Sequence, residues 1–366
     1  MSMPAELRRF AEEALVAAGA RPADAACTAD CLLEADLRGV HSHGLVRLPS
    51  YVAQAKAGEI DLRAEPTLGE GEGPTGHVDA HRCLGAVSSG LAMREAIARA
   101  RRHGIGAVSV REGTHFGSAA HYTLMAARAG LVGVTATNTP AVMAPWGGSQ
   151  AVLGNNPLSI AAPAAGSRPP FVLDMAQSAA ARGKIRLAEE AGLPIPSGWA
   201  LGPDGAPTTD PTLALDGALL SFGGHKGTAL ALGVEILTAV ACGADLSYEM
   251  VNTGFTGRVA PGGRTGGVGA FHLALDPIAL GARDDFPERV AALAGVVEAV
   301  PEAPGSGSAP AFPGTPEAAM AERALVDGLD LPAATVEGLD GLAEELGIAP
   351  SRSLRGATDE KEPGCR

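Results

Sequence analysis

The chain has 366 residues, of which 46% are hydrophobic and 19% charged, so it can bury a large core and is expected to form about two domains. A net charge of −13 argues against sequence-independent binding to nucleic acid or to an anionic membrane, because both require a basic surface. The sequence lacks a secretory leader, an uninterrupted apolar run of membrane-spanning length and a cysteine framework, which predicts a cytoplasmic protein.

Several segments repeat apolar residues at helical spacing, and short β-rich runs alternate with these helices from about residue 76 onward. The predicted helices cover residues 4–18, 22–38, 45–57, 85–102, 117–130, 227–241 and 287–300. The predicted strands cover residues 105–110, 131–137, 171–174 and 269–275. Composition marks loops at 65–75, 260–269 and 301–314 and a frayed tail at 351–366. The chain is therefore mixed α/β and begins with a small helical unit.

One glycine pattern matches the spacing of a dinucleotide-binding loop but not its context. Residues 71–76 read Gly-Glu-Gly-Pro-Thr-Gly, within acidic and turn-like flanks and with a strand-like run after them. The dinucleotide motif works only where a strand precedes it and a helix opens on it, so that helix amides meet the pyrophosphate. These residues are therefore not predicted to bind a cofactor.

The segment RGVHSHGLVRLPSY, residues 38–51, places a histidine between Ser42 and Gly44 at the start of a predicted helix. His43 is expected to be accessible and to titrate near neutral pH, and Arg47 follows one helical turn later. This grouping suits a carboxylate beside a proton donor. The structural alternative is that Ser42 caps the helix and His43 packs passively.

Two cysteines in the second predicted helix raise the question of a metal site. Cys27 and Cys31 are one helical turn apart, and His41 and His43 follow them in the chain. The same spacing puts two small apolar groups on one buried helix face, which is the usual environment of free cysteine. A buried face is therefore favoured over a zinc set, and no metal is predicted.

A second histidine, His115, lies between a predicted strand and a predicted helix. Loops at strand ends are where open α/β sheets place their chemistry, so position alone makes His115 a candidate. A partly buried structural histidine is the alternative.

Two further segments carry charges suited to a cofactor. Lys226, in the sequence GGHKG, opens the most hydrophobic predicted helix, which suits a phosphate; a solvated lysine in a simple loop is the alternative. Asp174 ends a predicted strand, and Arg182 and Lys184 lie on the next helix. Asp174 is expected either to hold a ribose hydroxyl or to cap a helix.

Taken together, these segments resemble the malate/L-lactate dehydrogenase family of the non-Rossmann type. That family includes ureidoglycolate, sulfolactate and diketogulonate dehydrogenases and the cyclic ketimine reductases. The resemblance covers nearly the whole chain, with its blocks in the same order. These blocks are RGVHSHGLVRLPSY, THFG, APWGGSQAVLGNNPLS, VLDMAQSAAARGKI, PDGAPTTDPT, GGHKG, LALDP and the PGTPE segment that contains Pro313.

The resemblance implies a role for each candidate residue. Members of the family differ in whether the residue matching His43 or the one matching His115 is the acid or base, and Ser42 joins them as a catalytic candidate. Arg47 is expected to clamp a substrate carboxylate, with Tyr51 adding a hydrogen bond. The implied cofactor-binding residues are Asp174, Met175, Ala176, Ser178, Arg182, Lys184, His225, Lys226, Pro313, Gly314 and Thr315.

The resemblance also implies a fold and an assembly. It places residues 1–75, completed by about 315–350, in a helical domain, and residues 76–314 in an NAD(P)-binding domain on a mostly antiparallel sheet. The protein is expected to be a homodimer with active sites near the subunit contact. Three positions depart from the family pattern: His41, where Asp is frequent, Thr114, where Asn is frequent, and Thr315, where Glu is usual.

The expected activity is hydride transfer between NAD or NADP and C2 of a small 2-hydroxy or 2-oxo acid. Reduction of a cyclic imino acid, such as piperideine- or pyrroline-2-carboxylate, is the alternative within the same chemistry. A catalytically silent protein that binds a nucleotide or metabolite is the alternative of another class.

Overall fold

A computed structural model describes residues 2–250 and 267–350. Most of the loop predicted at 260–269 and the whole tail predicted at 351–366 lie outside these residues. Within the described part of the chain, no helix combines the length and the apolar character needed to cross a membrane.

Within the described residues, seven helices form where the apolar periodicity predicts them, with most of their ends within two or three residues of the predicted ones, and four more form outside those ranges. They are α1 (Pro4–Ala17), α2 (Pro22–Leu37), α3 (Leu48–Lys56), α4 (Gly85–His103), α5 (Ala119–Arg128), α6 (Arg182–Glu190), α7 (Pro211–Asp216), α8 (His225–Glu235), α9 (Phe286–Glu298), α10 (Thr315–Asp327) and α11 (Ala333–Leu346). α8 continues into one π-helical turn over Ile236–Val240. α3 begins three residues later than predicted, because two short 3₁₀ turns precede it.

Residues from the beginning and the end of the described chain share one hydrophobic core. Leu7 and Phe10 of α1, Leu32 of α2, Leu48 of α3 and Leu339 of α11 are at most 2% exposed and belong to the same cluster. Burying each such side chain contributes roughly 1.5–3 kcal/mol of transfer free energy. This core holds the segment between α2 and α3, which carries His43 and Arg47, on a rigid base.

The main sheet has seven strands within the described residues. All ten strands of the structure are β1 (Thr67–Leu68), β2 (Thr75–Asp79), β3 (Ile105–Gly113), β4 (Val132–Thr137), β5 (Leu158–Ala162), β6 (Phe171–Met175), β7 (Ala200–Leu201), β8 (Pro207–Thr208), β9 (Ala218–Leu219) and β10 (Val268–Leu275). The order in the main sheet is β1-β2-β3-β10-β4-β5-β6, and β7, β8 and β9 form a small separate sheet. Only the β2–β3 pair is parallel, which confirms the mostly antiparallel sheet.

Helices α4 and α5 pack on this sheet, and a close approach by glycine fixes the position of α4. A Cβ atom on Gly106 in β3 would lie 2.0 Å from the carbonyl oxygen of Ala96, so only glycine lets the helix backbone come this near. Met93 and Ala100 of α4 and Val108 of β3 are completely buried at the contact. The packing fixes the end of β3, where His115 follows.

The glycine pattern at 71–76 does not form a phosphate loop. The guanidinium of Arg99, which is 2% exposed, donates to the carbonyl oxygens of Gly71 and Thr75 at 2.8 and 2.7 Å and also to that of Gly73. The loop leads into β2 and not into a helix. Because its carbonyl groups already hold a buried cation, the segment serves as a structural support.

Candidate active site

A cavity of about 670 Å³ lies between the helical core and the main sheet, a volume within the usual range of ligand sites. It brings together candidates that are far apart in the sequence. The predicted residues that line it are Ser42, His43, Arg47, Tyr51, His115, Asp174, Met175, Ala176, Arg182, Pro313 and Gly314. The predicted residues that do not line it are Ser178, Lys184, His225, Lys226 and Thr315.

The corner that carries His43 consists of two consecutive 3₁₀ turns, His41–His43 and Leu45–Arg47, separated by Gly44. Neither turn has a side-chain cap, so the alternative role of Ser42 as a helix cap is not realised. Instead, Ser42 Oγ lies 2.8 Å from His43 Nδ1. A hydroxyl can donate or accept here, so His43 can carry its proton on either ring nitrogen.

The hydrogen bonds of His115 fix its tautomer. The backbone N–H of Gly117 donates to His115 Nδ1 at 3.3 Å, and the Tyr51 hydroxyl lies 2.6 Å from the same atom. Since a backbone N–H can only donate, Nδ1 is an acceptor and the hydroxyl of Tyr51 donates to it. Neutral His115 therefore carries its proton on Nε2 and acts as a hydrogen-bond donor there.

The two histidine rings are stacked, with their centroids 5.6 Å apart and their planes inclined by 27°. Burial, aided by the positive charge of Arg47, lowers the pKa of His43 to about 4. Burial, Arg47 and His43 together lower the pKa of His115 well below its usual value. Both rings are therefore neutral near pH 7, and the cavity disfavours charging both of them.

Arg47 is held within the corner, and Tyr51 has a different partner from the predicted one. Arg47 Nε donates to the carbonyl oxygen of Ser42 at 2.7 Å. Burial raises the pKa of Tyr51, so its hydroxyl keeps its proton and donates it to His115. The structure thus pairs the Tyr51 hydroxyl with His115, and the hydrogen bond from Tyr51 to substrate stays a prediction.

Asp174 realises the capping alternative and also lines the cavity. Its Oδ2 atom accepts hydrogen bonds from Ser118 Oγ and from the backbone N–H of Ala120, both at 2.9 Å. These donors belong to the N-terminus of α5, where a carboxylate is favoured by the helix dipole. Asp174 therefore ties the end of β6 to the helix that follows His115.

Some cavity residues carried no clear signal in the sequence. Arg38, Asn138, Thr139 and Asn155 line the cavity but were not among the candidates. Thr139 Oγ1 donates to Asn155 Oδ1 at 2.8 Å, and the N–H of Asn155 donates back to Thr139 Oγ1 at 3.0 Å. The polar block around Asn155 was visible in the sequence, but its proximity to Thr139 depends on the pairing of β4 with β5.

The GGHKG segment, residues 223–227, does not line the cavity but lies next to chain that does. The backbone N–H of Phe222 donates to the carbonyl oxygen of Gln177 at 3.0 Å, so the segment borders the chain that leaves β6. His225 and Lys226 are exposed at the start of α8, with the His225 ring 6.4 Å from that of Trp146. Their assignment to a cofactor stays a prediction, as do those of Ser178, Lys184 and Thr315.

His41, one of the three positions that depart from the family pattern, does not line the catalytic cavity. His41 lines a separate cavity of about 270 Å³, and its Nδ1 atom lies 2.8 Å from Asp36 Oδ1.

Cys27 and Cys31 donate to backbone carbonyl groups of Ala86 and Phe116. Within the residues that the structure describes, no three potential metal ligands cluster.

Comparisons with known proteins identify the family to which this chain is similar. A model of the malate/L-lactate dehydrogenase family matches residues 3–340. A (2R)-3-sulfolactate dehydrogenase (NADP(+)) of Chromohalobacter salexigens is 38% identical over 338 residues, 92% of this chain and 96% of the relative.

Two solved structures show the same fold. Sulfolactate dehydrogenase of Methanocaldococcus jannaschii superposes with a TM-score of 0.84 at 33% identity, over 95% of this chain and 97% of that structure. The Δ1-piperideine-2-carboxylate reductase of Pseudomonas syringae gives a TM-score of 0.82 at 30% identity, over 94% and 99%. These matches span nearly the whole chain and confirm the non-Rossmann fold implied by the sequence blocks, so the chain belongs to the malate/L-lactate dehydrogenase family.

Proposed function

We propose that the protein is an NAD(P)-dependent oxidoreductase that moves a hydride to or from C2 of a small 2-hydroxy or 2-oxo acid. The observation that carries this proposal is the stacked pair of His43 and His115 beside Arg47 in one cavity. A proton carrier, a neutral hydrogen-bond donor and a carboxylate-binding cation are the protein groups that this reaction needs.

The cavity and its surroundings fit a nicotinamide dinucleotide. The side-chain amide of Gln177 and the hydroxyl of Ser178 are buried and have no hydrogen-bond partner within the described residues, just after cavity-lining β6. Leaving such groups unpaired costs free energy, so their place directly after the cavity-lining Met175 and Ala176 calls for a bound group or an ordered water nearby. Met175, Ala176 and Arg182 would hold the group along this edge. When bound, the nicotinamide ring supplies or takes up the hydride.

His43 is the better acid–base group of the two histidines. With Nδ1–H donating to Ser42 Oγ, neutral His43 has a free Nε2 that can take the substrate hydroxyl proton during oxidation. In reduction, the same ring returns the proton to the oxygen on C2. A substrate carboxylate next to Arg47 would offset the positive charge that lowers the pKa of His43.

His115 and Arg47 orient and polarise the substrate. Since Tyr51 and Gly117 occupy Nδ1 of His115, its Nε2–H is available to donate to the oxygen on C2. The planar guanidinium of Arg47 can hold the carboxylate through two parallel hydrogen bonds. Together they would place C2 for hydride transfer.

A cyclic imino acid is the second candidate substrate. It also has a planar C2 beside a carboxylate, so the same residues would serve it, but an imine nitrogen is already protonated near neutral pH. The similarity to a piperideine-2-carboxylate reductase supports this candidate, and the similarity to sulfolactate dehydrogenases supports the hydroxy acid.

Turnover of a small panel of substrates tests the proposal. Purified protein would be given NADH or NADPH with pyruvate, oxaloacetate, 3-sulfopyruvate, 2-oxoglutarate or piperideine-2-carboxylate, and ureidoglycolate would be tested as an oxidation with NAD and NADP. We expect oxidation of the reduced cofactor with at least one 2-oxo acid. Turnover of the cyclic imine alone would select the second candidate, and turnover of none would contradict both and favour a silent binding protein.

We extend the proposal to a homodimer. α8 and the π-helical turn after it leave apolar side chains in solvent at i, i+4, i+8 spacing: Leu232 is 43% exposed, Ile236 59% and Val240 62%. Trp146, 66% exposed, lies against His225 at the start of α8. An exposed apolar face of this kind is typical of a protein contact, and a second copy of the chain is the proposed occupant.

A further inference from the structure

A buried carboxylate lies behind the corner that carries His43. Asp36 is in the last turn of α2 and is 1% exposed. Its Oδ2 atom accepts the backbone N–H of Leu45 at 2.7 Å, and its Oδ1 atom lies 2.8 Å from His41 Nδ1. A Cβ atom on Gly44 would lie 2.2 Å from the Asp36 carboxyl carbon, so the corner rests directly on this group.

The two hydrogen-bond partners of Asp36, His41 and Leu45, flank the catalytic candidates Ser42 and His43 in the sequence. His41 comes before Ser42 and His43, and Leu45 begins the turn that ends at Arg47. The backbone–backbone hydrogen bonds inside the corner are 3₁₀ contacts, such as His43 N–H to the Val40 carbonyl at 3.0 Å, whose geometry is poorer than that of an α-helix. The carboxylate therefore fixes both ends of a segment that holds itself weakly.

His41 reaches Asp36 from the side away from the substrate. It lines the second cavity, between α2 and α10, together with Arg323 and Asp330, and does not line the catalytic cavity. The hydrogen bond to Asp36 raises the pKa of His41. Any effect of His41 on turnover must pass through the position of the corner, since the ring does not line the catalytic cavity.

We propose that Asp36, held by His41, is the positioning residue of the catalytic corner and sets the placement of His43 and Arg47 without touching the substrate. This inference rests on the proposed function for its kinetic consequence, but its structural consequence does not depend on turnover. A misplacement of about 1 Å at a catalytic group can cost on the order of 100-fold in rate. The chain offers a matched control in the pair of exposed His81 and half-buried Asp79, whose ring nitrogen and carboxylate lie 3.2 Å apart.

Kinetics of Asp36→Asn and His41→Ala test the positioning role. We expect kcat to fall about 10-fold or more for Asp36→Asn and about 3- to 10-fold for His41→Ala, because the corner moves. Cofactor affinity should stay unchanged within about two-fold, because the residues proposed to bind the cofactor do not move. His41→Asn, which can still donate to Asp36, should recover most of the loss. Wild-type kcat in both folded variants, or equal losses in the controls Asp79→Asn and His81→Ala, would overturn the proposal.

Nuclear magnetic resonance of the histidine rings gives a readout without turnover. We expect the ring signals of His43 to shift in Asp36→Asn and in His41→Ala, while those of His272, buried in the sheet, stay in place. If Asp36→Asn does not fold, His41→Ala carries the test alone. Unchanged His43 signals would refute the positioning role, whereas shifted signals without turnover of any acid by the wild type would count against the proposed function only.

Discussion

At the scale of single residues, the hydrogen bonds at two Nδ1 atoms separate the roles of the cavity histidines. Nδ1 of His115 accepts from Tyr51 and Gly117, which leaves Nε2–H as a donor. Nδ1 of His43 faces the hydroxyl of Ser42, which can donate or accept, so the ring can change its protonation state without losing that contact. Only His43 is thus free to act as both acid and base.

Single and double histidine variants test this division. We expect His43→Ala to lower kcat at least about 100-fold with little change in cofactor affinity, since acid–base catalysis typically contributes about 10²- to 10⁴-fold. His115→Ala should lower kcat less and raise KM for the acid. The pH profile of kcat/KM for oxidation should stay flat from pH 8 to pH 6 and fall only toward the pKa of about 4, because neutral His43 is the active form.

The reverse ranking would contradict the assignment. If His115→Ala loses more kcat than His43→Ala, His115 is the acid–base group and the tautomer argument fails. Tyr51→Phe probes the same assignment, since it removes one donor to His115 Nδ1 and leaves the Ser42 contact of His43 in place, and its effect should resemble a milder His115→Ala.

Sequence patterns predicted which residue types meet in the cavity, but not how their polar atoms pair. Ser42, His43, Arg47 and His115 were all candidates and all line it. The bond between Tyr51 and His115 joins residues 64 apart in the chain, so no local pattern reports it. The orientation of His41 away from the substrate depends on the buried carboxylate of Asp36, which looked like an ordinary polar residue near a helix end.

At the scale of elements, apolar residues that repeat with a period of 3.6 predicted most of the helices well. Strands and helix starts that depend on tertiary contacts were predicted less well. α1, α2 and α4 match their predicted ranges to within a residue at either end. β5, Leu158–Ala162, was not predicted, because five residues between loops carry little periodic signal and its place comes from pairing with β4 and β6. α3 starts late because the corner before it winds as 3₁₀ turns held by Asp36.

The N-terminus of α8 provides a test of the predicted cofactor-binding site. Lys226 is exposed there, and the segment before it is hydrogen-bonded to Gln177, directly beyond the cavity wall. Because a helix N-terminus with a lysine suits a diphosphate, we expect Lys226→Ala to raise the Kd of the nicotinamide cofactor about 10-fold while leaving kcat at saturation nearly unchanged. Fluorescence titration of the reduced cofactor measures this.

A lysine of comparable exposure serves as the control. Lys56 at the end of α3 pairs with Glu345 at the surface, and Lys56→Ala should leave cofactor affinity unchanged. Equal affinity of the Lys226→Ala variant and the wild type would remove the GGHKG segment from the cofactor site.

At the scale of the whole molecule, the exposed face of α8 predicts that the chain works as a dimer. Sedimentation should give a mass about twice the 36.7 kDa of one chain, and Ile236→Glu should shift it to the monomer, because a charge would then be buried in the apolar contact. Val326→Glu is the control, since that valine is 79% exposed on a different helix, α10. A wild-type monomer at micromolar concentration would refute the homodimer.

The chemistry proposed for the cavity is transfer of a hydride to C2, and the destination of that hydride tests it most directly. The protein would be given reduced cofactor with deuterium in both positions at C4 of the nicotinamide, with whichever acid of the panel it turns over, and the product would be analysed by mass spectrometry and NMR. We predict one deuterium at C2 of the product, in the wild type and, more slowly, in His43→Ala. Unlabelled product, with deuterium released to solvent, would contradict direct hydride transfer in this cavity.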